Sequence, residues 1–244
     1  MVYYLTYIAQ MAGLTGDVAM VTSGIQYAVF IVFTGIMWIF IDKTGRRTLL
    51  VLGAIGMGIC HFVIGGVMAG YHTDVPEGVG GNHNIVFSVT PGAPANTVLV
   101  FSYLLIVVYA LTLAPVCWIY AAEVWSLGTR ATGMSLAAMS NWLFNFAIGM
   151  FTPPAFVNIK WNIFMIFGAL CMVAAIWFWV FYPETCGKTL EEVEILFGND
   201  GPKPWQTKKG DSRLVEHVEA VKARKHVDGE VDVHEAHHLG EEKV

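Results

Sequence analysis

Charged side chains are absent from five long stretches of this chain, at 18–41, 48–71, 96–122, 131–159 and 161–182. A helix needs about 20 apolar residues to cross the roughly 30 Å hydrocarbon core of a bilayer. Each stretch meets that length, and the polar breaks between most of them are short. One buried soluble helix can reach such a length; five in succession have no soluble counterpart. A further apolar run at 1–12 is too short to span and starts abruptly at the first residue. The pattern predicts an all-α membrane protein, with a partial first span and five full ones making a membrane domain over 1–182.

Composition agrees only once it is divided. The 244 residues are 55% apolar and 14% charged, with a net charge of −5. Residues 1–182 hold five Lys/Arg and five Asp/Glu, so the whole acidic excess lies in 183–244. No basic patch is large enough for nucleic acid. The four cysteines show neither a disulfide framework nor a metal knuckle, and no cofactor is called for. Met1-Val2-Tyr3-Tyr4 lacks the basic start of a cleavable signal peptide.

Short-loop charge sets an expected orientation. The break at 42–47 carries Lys43, Arg46 and Arg47, and the break at 123–130 carries Arg130, whereas the loop at 72–95 has no Lys or Arg. Basic loops face the cytoplasm, which places the tail there too. The Gly/Pro-rich 72–95 loop is expected outside and irregular. Glycines cluster at Gly53, Gly56, Gly58, Gly65 and Gly66, where small residues let membrane helices approach closely. Pro115, Pro153 and Pro154 are expected to interrupt two spans, which favours cavity-lining helices because a freed carbonyl must be buried in protein or face water.

Three constellations carry candidate chemistry. The first is Asp42-Lys43-Thr44-Gly45-Arg46-Arg47, readable as a topology anchor or as charges that pair with neighbouring helix ends. The second runs from Pro115 through Trp118 to Glu123, followed by Arg130, Gly133, Asn141 and Trp142. An indole can stack on the C–H face of a sugar ring while an amide bonds its hydroxyls. Trp125 and Trp161 fit an interfacial belt, whereas Trp118 lies deeper. Asn141 and Asn145 share a helical face and read equally well as interhelical glue. The third is Pro183-Glu184-Thr185-Cys186-Gly187-Lys188-Thr189-Leu190-Glu191-Glu192. Its Thr189-x-x-Glu192 is a capping box opening a short helix over 183–197, with Leu190, Val193 and Phe197 free to lie against the span ends.

Together these motifs resemble the sugar porter family of the major facilitator superfamily. Its D-x-x-G-R-R, P-x-x-W-x-x-x-x-E with later R-x-x-G and N-W, and P-E-T-x-G-K-T-L-E-E patterns occur here in order, over residues 1 to about 197. Between the motifs the chain is most similar to fungal high-affinity hexose transporters. The resemblance implies the carboxy-terminal six-helix half of such a transporter with its first span truncated, and a missing amino-terminal half as partner. It implies that Trp118 and Asn141, with Trp142 beside them, line a sugar site. Tyr3 and Tyr4 match an outer-gate tyrosine pair. Asp42, Arg46, Arg47, Glu123, Arg130 and Glu184 match a cytoplasmic charge latch. Departures are Ala114, where glycine is usual, and Phe30 at the position of a family asparagine; Gln26, one turn earlier, is expected to take that polar role.

The function so implied is transport of a hexose, glucose first, by alternating access, with proton symport left open and the plasma membrane as location. A non-transporting sugar sensor on the same scaffold is the alternative. The acidic tail over 198–244, with His234, His237 and His238, reads as solvated disorder or as a weak metal binder. No H-E-x-x-H or nucleophile motif supports an enzyme. With Met1 inside a span, the chain is expected to show no uptake by itself.

Overall fold

The computed structural model describes residues 4–14, 16–79, 85–189, 192–193, 196–197, 203–207 and 209. Tyr3, Leu190, and the three tail histidines lie outside the described residues. Among the described residues the framework is seven α-helices: α1 (Leu5–Met11), α2 (Asp17–Phe40), α3 (Arg46–Tyr71), α4 (Ala93–Leu111), α5 (Leu113–Glu123), α6 (Arg130–Asn158) and α7 (Asn162–Phe181). With α4 and α5 counted as one broken span, five helices are long and apolar enough to cross a membrane.

Helix α3 is the centre of the packing, with α4 and α7 against it. Its glycines make the approach close, as the clustering implied. A Cβ on Gly58 would meet Met172 Sδ at 3.0 Å, and one on Gly168 would meet the Phe62 ring at 3.0 Å. The larger core gathers Ile64, Met68, Phe87, Phe156 and Phe164 from α3, the 72–92 connection, α6 and α7. A smaller one joins Met37, Ile41, Leu50, Val116 and Tyr120 at the opposite end of α3. Helix α6 stands apart: Met139, Leu143 and Phe146 are each more than 60% exposed.

Two expectations are corrected and a third is sharpened. The 72–95 connection is not wholly irregular. His72–Asp74 (β1) pairs antiparallel with Phe87–Val89 (β2), matching His72 to Val89 and Asp74 to Phe87. Ile85, Phe87 and Val89 are buried. Apolar alternation in 85–89 outweighs the surrounding turn formers, because it supplies a face that the core can cover.

Pro153 and Pro154 do not interrupt their span either, and α6 runs through both. Pro153 lacks the N–H that would bond the carbonyl four residues back. That carbonyl, of Gly149, instead accepts a 2.7 Å hydrogen bond from the Tyr4 hydroxyl. A donor just before α1 therefore replaces one of the two rungs that the prolines remove.

Pro115 does interrupt its span, as expected, dividing it into α4 and α5. The chain breaks before it at Thr112 (φ −128°, ψ −88°), which puts Pro115 in the first turn of a new helix, where a backbone donor is not required. Gly53 makes room for the break, since a Cβ there would collide with the Thr112 and Leu113 side chains.

Candidate functional site

Two sites are assembled from the motif residues. The first is a groove of about 380 Å³ among α1, α2, α4, α5 and α6. Gln26, Tyr27 and Phe30 reach it from α2, Tyr109 from α4, Trp118 from α5, and Asn141, Trp142 and Asn145 from α6. The break at Thr112 starts α5 afresh, and Trp118 presents a ring that is 46% exposed. Phe30 and Tyr109 stack across the groove at 5.9 Å. Thus Trp118, Asn141, Trp142 and Gln26 are brought together, and Tyr27 and Tyr109 join them without having been singled out. Aromatic residues at a helical spacing are too common in membrane spans to have marked those two.

The polar groups of the groove differ in freedom. Gln26 is buried, and its amide nitrogen donates to Ser102 Oγ at 2.8 Å. Asn145 Nδ2 donates to both the backbone oxygen and Oδ1 of Asn141, each at 2.9 Å. The asparagine pair therefore bonds within α6, and the interhelical-glue reading does not describe it. This bond aims Asn141 by fixing its carbonyl oxygen as acceptor, leaving its NH₂ as a donor. Tyr4 is not part of the groove: it packs edge-on against Tyr7 and Phe156 and holds α1 to Gly149 of α6.

The second site lies at the Arg46 end of α3. Arg46 is only 7% exposed. Its Nη2 meets Glu123 Oε1 at 3.2 Å and Asp42 Oδ1 at 3.3 Å. Its Nη1 donates to the Ile41 carbonyl at 3.1 Å and to Cys186 Sγ at 3.0 Å. Glu123 Oε2 accepts from Thr185 Oγ1 at 2.6 Å. Tyr120 stacks on Tyr182 at 4.8 Å and donates to the Pro183 carbonyl, which holds the third constellation beside the second.

Three members of the expected cluster behave differently: Arg47 meets no acid among the described residues and donates through Nη2 to the Trp179 carbonyl. Glu184 makes no ion pair among the described residues and caps α3. Its Oε1 accepts from the Arg46 and Cys186 backbone N–H groups at 2.7 and 3.1 Å, and its Oε2 from that of Arg47 at 3.2 Å. A carboxylate at a helix N-terminus satisfies donors that have no intrahelical partner. Gly45 permits this, because a Cβ there would collide with Glu184 Oε2. Arg130 stays outside the cluster: its Nη2 donates to the Trp125 carbonyl at 3.4 Å, and no acid pairs with it among the described residues. Beside it the Trp125 ring lies against Gly133.

Within the third constellation, Thr189 and Glu192 exchange reciprocal bonds of 2.9 and 3.3 Å, the geometry of a capping box. Residues 203–207 and 209 then return to the Arg46 end. Thr207 is 7% exposed and accepts from the Glu184 N–H at 2.7 Å. Lys209 Nζ donates to the Lys43 carbonyl. Disorder was expected here, but these residues dock, because Thr207 supplies the acceptor that the buried Glu184 N–H otherwise lacks.

A family model described as "Sugar (and other) transporter" matches residues 1–197. The chain belongs to the sugar transporter family. Within that family it is 39% identical to a high-affinity glucose transporter of Kluyveromyces lactis over 85% of this chain and 38% of that protein. It is 34% identical to high-affinity glucose transporter 1 of Candida albicans over 92% of this chain and 41% of that one. Among solved structures it resembles the inward-open xylose transporter XylE from E. coli (26% identity, TM-score 0.59, 80% of this chain and 40% of that one). A second is the proton:xylose symporter XylE bound to 6-bromo-6-deoxy-D-glucose (26% identity, TM-score 0.64, 81% and 38%). This sugar transporter family member thus spans about two fifths of the length of the curated relatives it matches.

Proposed function

We propose that this chain carries part of the path by which a hexose, glucose first, crosses a membrane by alternating access. The observation behind the reading is the groove itself: an exposed indole, aromatic walls and an aimed amide on helices of a sugar transporter family member. In this reading Trp118 stacks on the apolar face of the sugar. Asn141 and Gln26 bond its hydroxyls and Trp142 flanks it, while Tyr4, outside the groove, holds α1 to α6. The glucose and xylose relatives support a monosaccharide of this size.

The Arg46 end serves as the latch, Asp42, Arg46, Arg47, Glu123 and Glu184 favouring closure while dry and separating as water enters. Arg130 would join only in another conformation. The exposed faces of α2 and α6 call for a second helical unit to complete the path, corresponding to the unmatched part of the relatives. The plasma membrane is the proposed location, with the Arg46 end and tail cytoplasmic, following the basic loops. Affinities between about 1 mM and 1 μM, roughly −4 to −8 kcal/mol, would allow both capture and release.

The test is a chimera in which this chain replaces the matched residues of the Kluyveromyces lactis transporter, expressed in a yeast strain lacking hexose transport. Labelled glucose uptake is expected, abolished or strongly weakened by Trp118→Ala with surface amount unchanged. A pH jump decides whether protons are coupled. A chimera at the surface that binds glucose without moving it supports a sensor instead, and one that neither binds nor moves it removes the sugar reading.

A further inference from the structure

Beside the charge cluster, and separate from the aromatic groove, a cavity of about 390 Å³ opens between the start of α3, the end of α7 and the docked tail segment. Its walls are of two kinds. Arg47, Lys209 and Thr48 bring donors, whereas Val51, Leu52 and Trp179 bring an apolar side. Leu52 and Trp179 are more than half exposed on helices apolar enough to span a membrane. In a bilayer that side meets acyl chains.

Neither cation has an acid within ion-pair distance among the described residues. Arg47 donates through Nη2 to the Trp179 carbonyl at 2.5 Å, lies 6.0 Å from that indole, and keeps a buried Nε without a hydrogen-bond partner. Lys209 donates through Nζ to the Lys43 carbonyl. The carboxylate in the wall, Glu184, gives both oxygens to backbone N–H groups and faces the positive end of α3. The electrostatic balance of the cavity is therefore cationic.

Two cations and a hydroxyl at the polar rim of an apolar, Trp-bearing wall match a phosphate carried on hydrocarbon chains. We propose that this cavity holds the headgroup of an anionic phospholipid, with Arg47 and Lys209 on the phosphate and an acyl chain along Leu52 and Trp179. A free phosphate shares the headgroup chemistry but has no use for the apolar wall. Thr207 and Lys209 belong to the tail, so the site is complete only while that segment is docked. By linkage, lipid and docked tail then favour each other. The site stands whether or not the groove carries sugar.

The experiment is native mass spectrometry of the purified 244-residue chain from micelles holding equal amounts of dioleoyl phosphatidylserine and dioleoyl phosphatidylcholine. Phosphatidylserine adducts are expected to exceed phosphatidylcholine adducts about fivefold, and Lys209→Gln to remove most of that preference, from the usual worth of one basic residue at a lipid surface. Arg47→Gln should do the same and Arg47→Lys should keep it. Equal retention of the two lipids overturns the proposal. So does an equal loss on Lys160→Gln, at the far end of the helices, since the effect would then be general charge. Displacement of the lipid by 10 mM inorganic phosphate, with no preference left, would assign the cavity to a free anion and overturn the lipid. Lys209 lies in the tail, so its variant tests the site without disturbing the packed helices.

Discussion

The Arg46 end and the aromatic groove are both lined by motif residues, yet their polar groups are used in opposite ways. At the Arg46 end nearly every group is committed: Arg46 meets Glu123, Asp42, Cys186 and the Ile41 carbonyl, and Glu184 accepts three backbone donors. In the groove, Trp118 is nearly half exposed and Trp142 about two thirds, and Asn141 is held by one neighbour on its own helix. The contrast separates a region built to hold a shape from one left open to an occupant. Buried charge is costly when unpaired, so the first region is closed to partial change. An exposed ring above a groove costs little and can be covered reversibly.

The comparison is easiest to break at Arg46. Arg46→Leu should destabilise the chain by about 3 kcal/mol, because Glu123 stays behind, mostly buried and without its cation; thermal unfolding in detergent reads it. Trp118→Ala should shift the same midpoint by no more than about 0.5 kcal/mol, as a half-exposed position allows. Equal losses would mean that the groove is structural too. The Asp42 leg is the weak part of the cluster, since that side chain is 85% exposed; Asp42→Asn should cost less than about 1 kcal/mol.

Between those extremes lies the helix break that presents Trp118. Gly53→Val forces a side chain into Thr112 and Leu113, and overpacking of this kind costs about 1–3 kcal/mol. If it instead leaves both stability and Trp118 accessibility unchanged, the break does not depend on that contact. Tyr4→Phe leaves the proline-freed Gly149 carbonyl without its donor and should cost about 1 kcal/mol. Faster hydrogen exchange across 149–154, against an unchanged α3, is the signature to look for.

The smallest effect belongs to the exposed pair of Lys160 and Asp74, 2.6 Å apart at the opposite end of the molecule. The Lys160 hydrogen bond, helped by its charge, holds the Asp74 carboxyl below the usual carboxylate range. A depressed folded-state pKa means stabilisation that is present above the unfolded value and is lost as pH falls through the folded one. The wild-type chain and Lys160→Gln should differ slightly in unfolding midpoint at pH 7 and converge on acidification. A gap that persists in acid removes the pair as its cause.

Much of both sites can be read from residues in order. Glu123, Arg46, Trp118 and Asn141 stand in motifs whose spacing survives in one dimension, and four of the expected groove residues do line one groove. Cys186 and Thr185 sat inside a quoted motif without a role, because their partners Arg46 and Glu123 are distant in the chain. Thr207 carried no signal at all: its value lies in meeting one buried N–H. Arg130 shows the reverse, a residue inside a motif whose guanidinium meets the Trp125 carbonyl instead of the expected acids.

The sequence by itself determined that this is a helical membrane protein of the sugar transporter family with charge kept out of its spans. The physical reason is that a bilayer leaves an uncharged helix as the simplest way to satisfy a backbone in hydrocarbon. That constraint acts on local runs. Only the tertiary structure decided that Glu184 caps a helix, that Tyr4 repairs a proline gap 145 residues away, and that a tail segment docks beside Arg47. Those outcomes depend on which donors and acceptors packing brings within about 3 Å, a distance that no local pattern encodes.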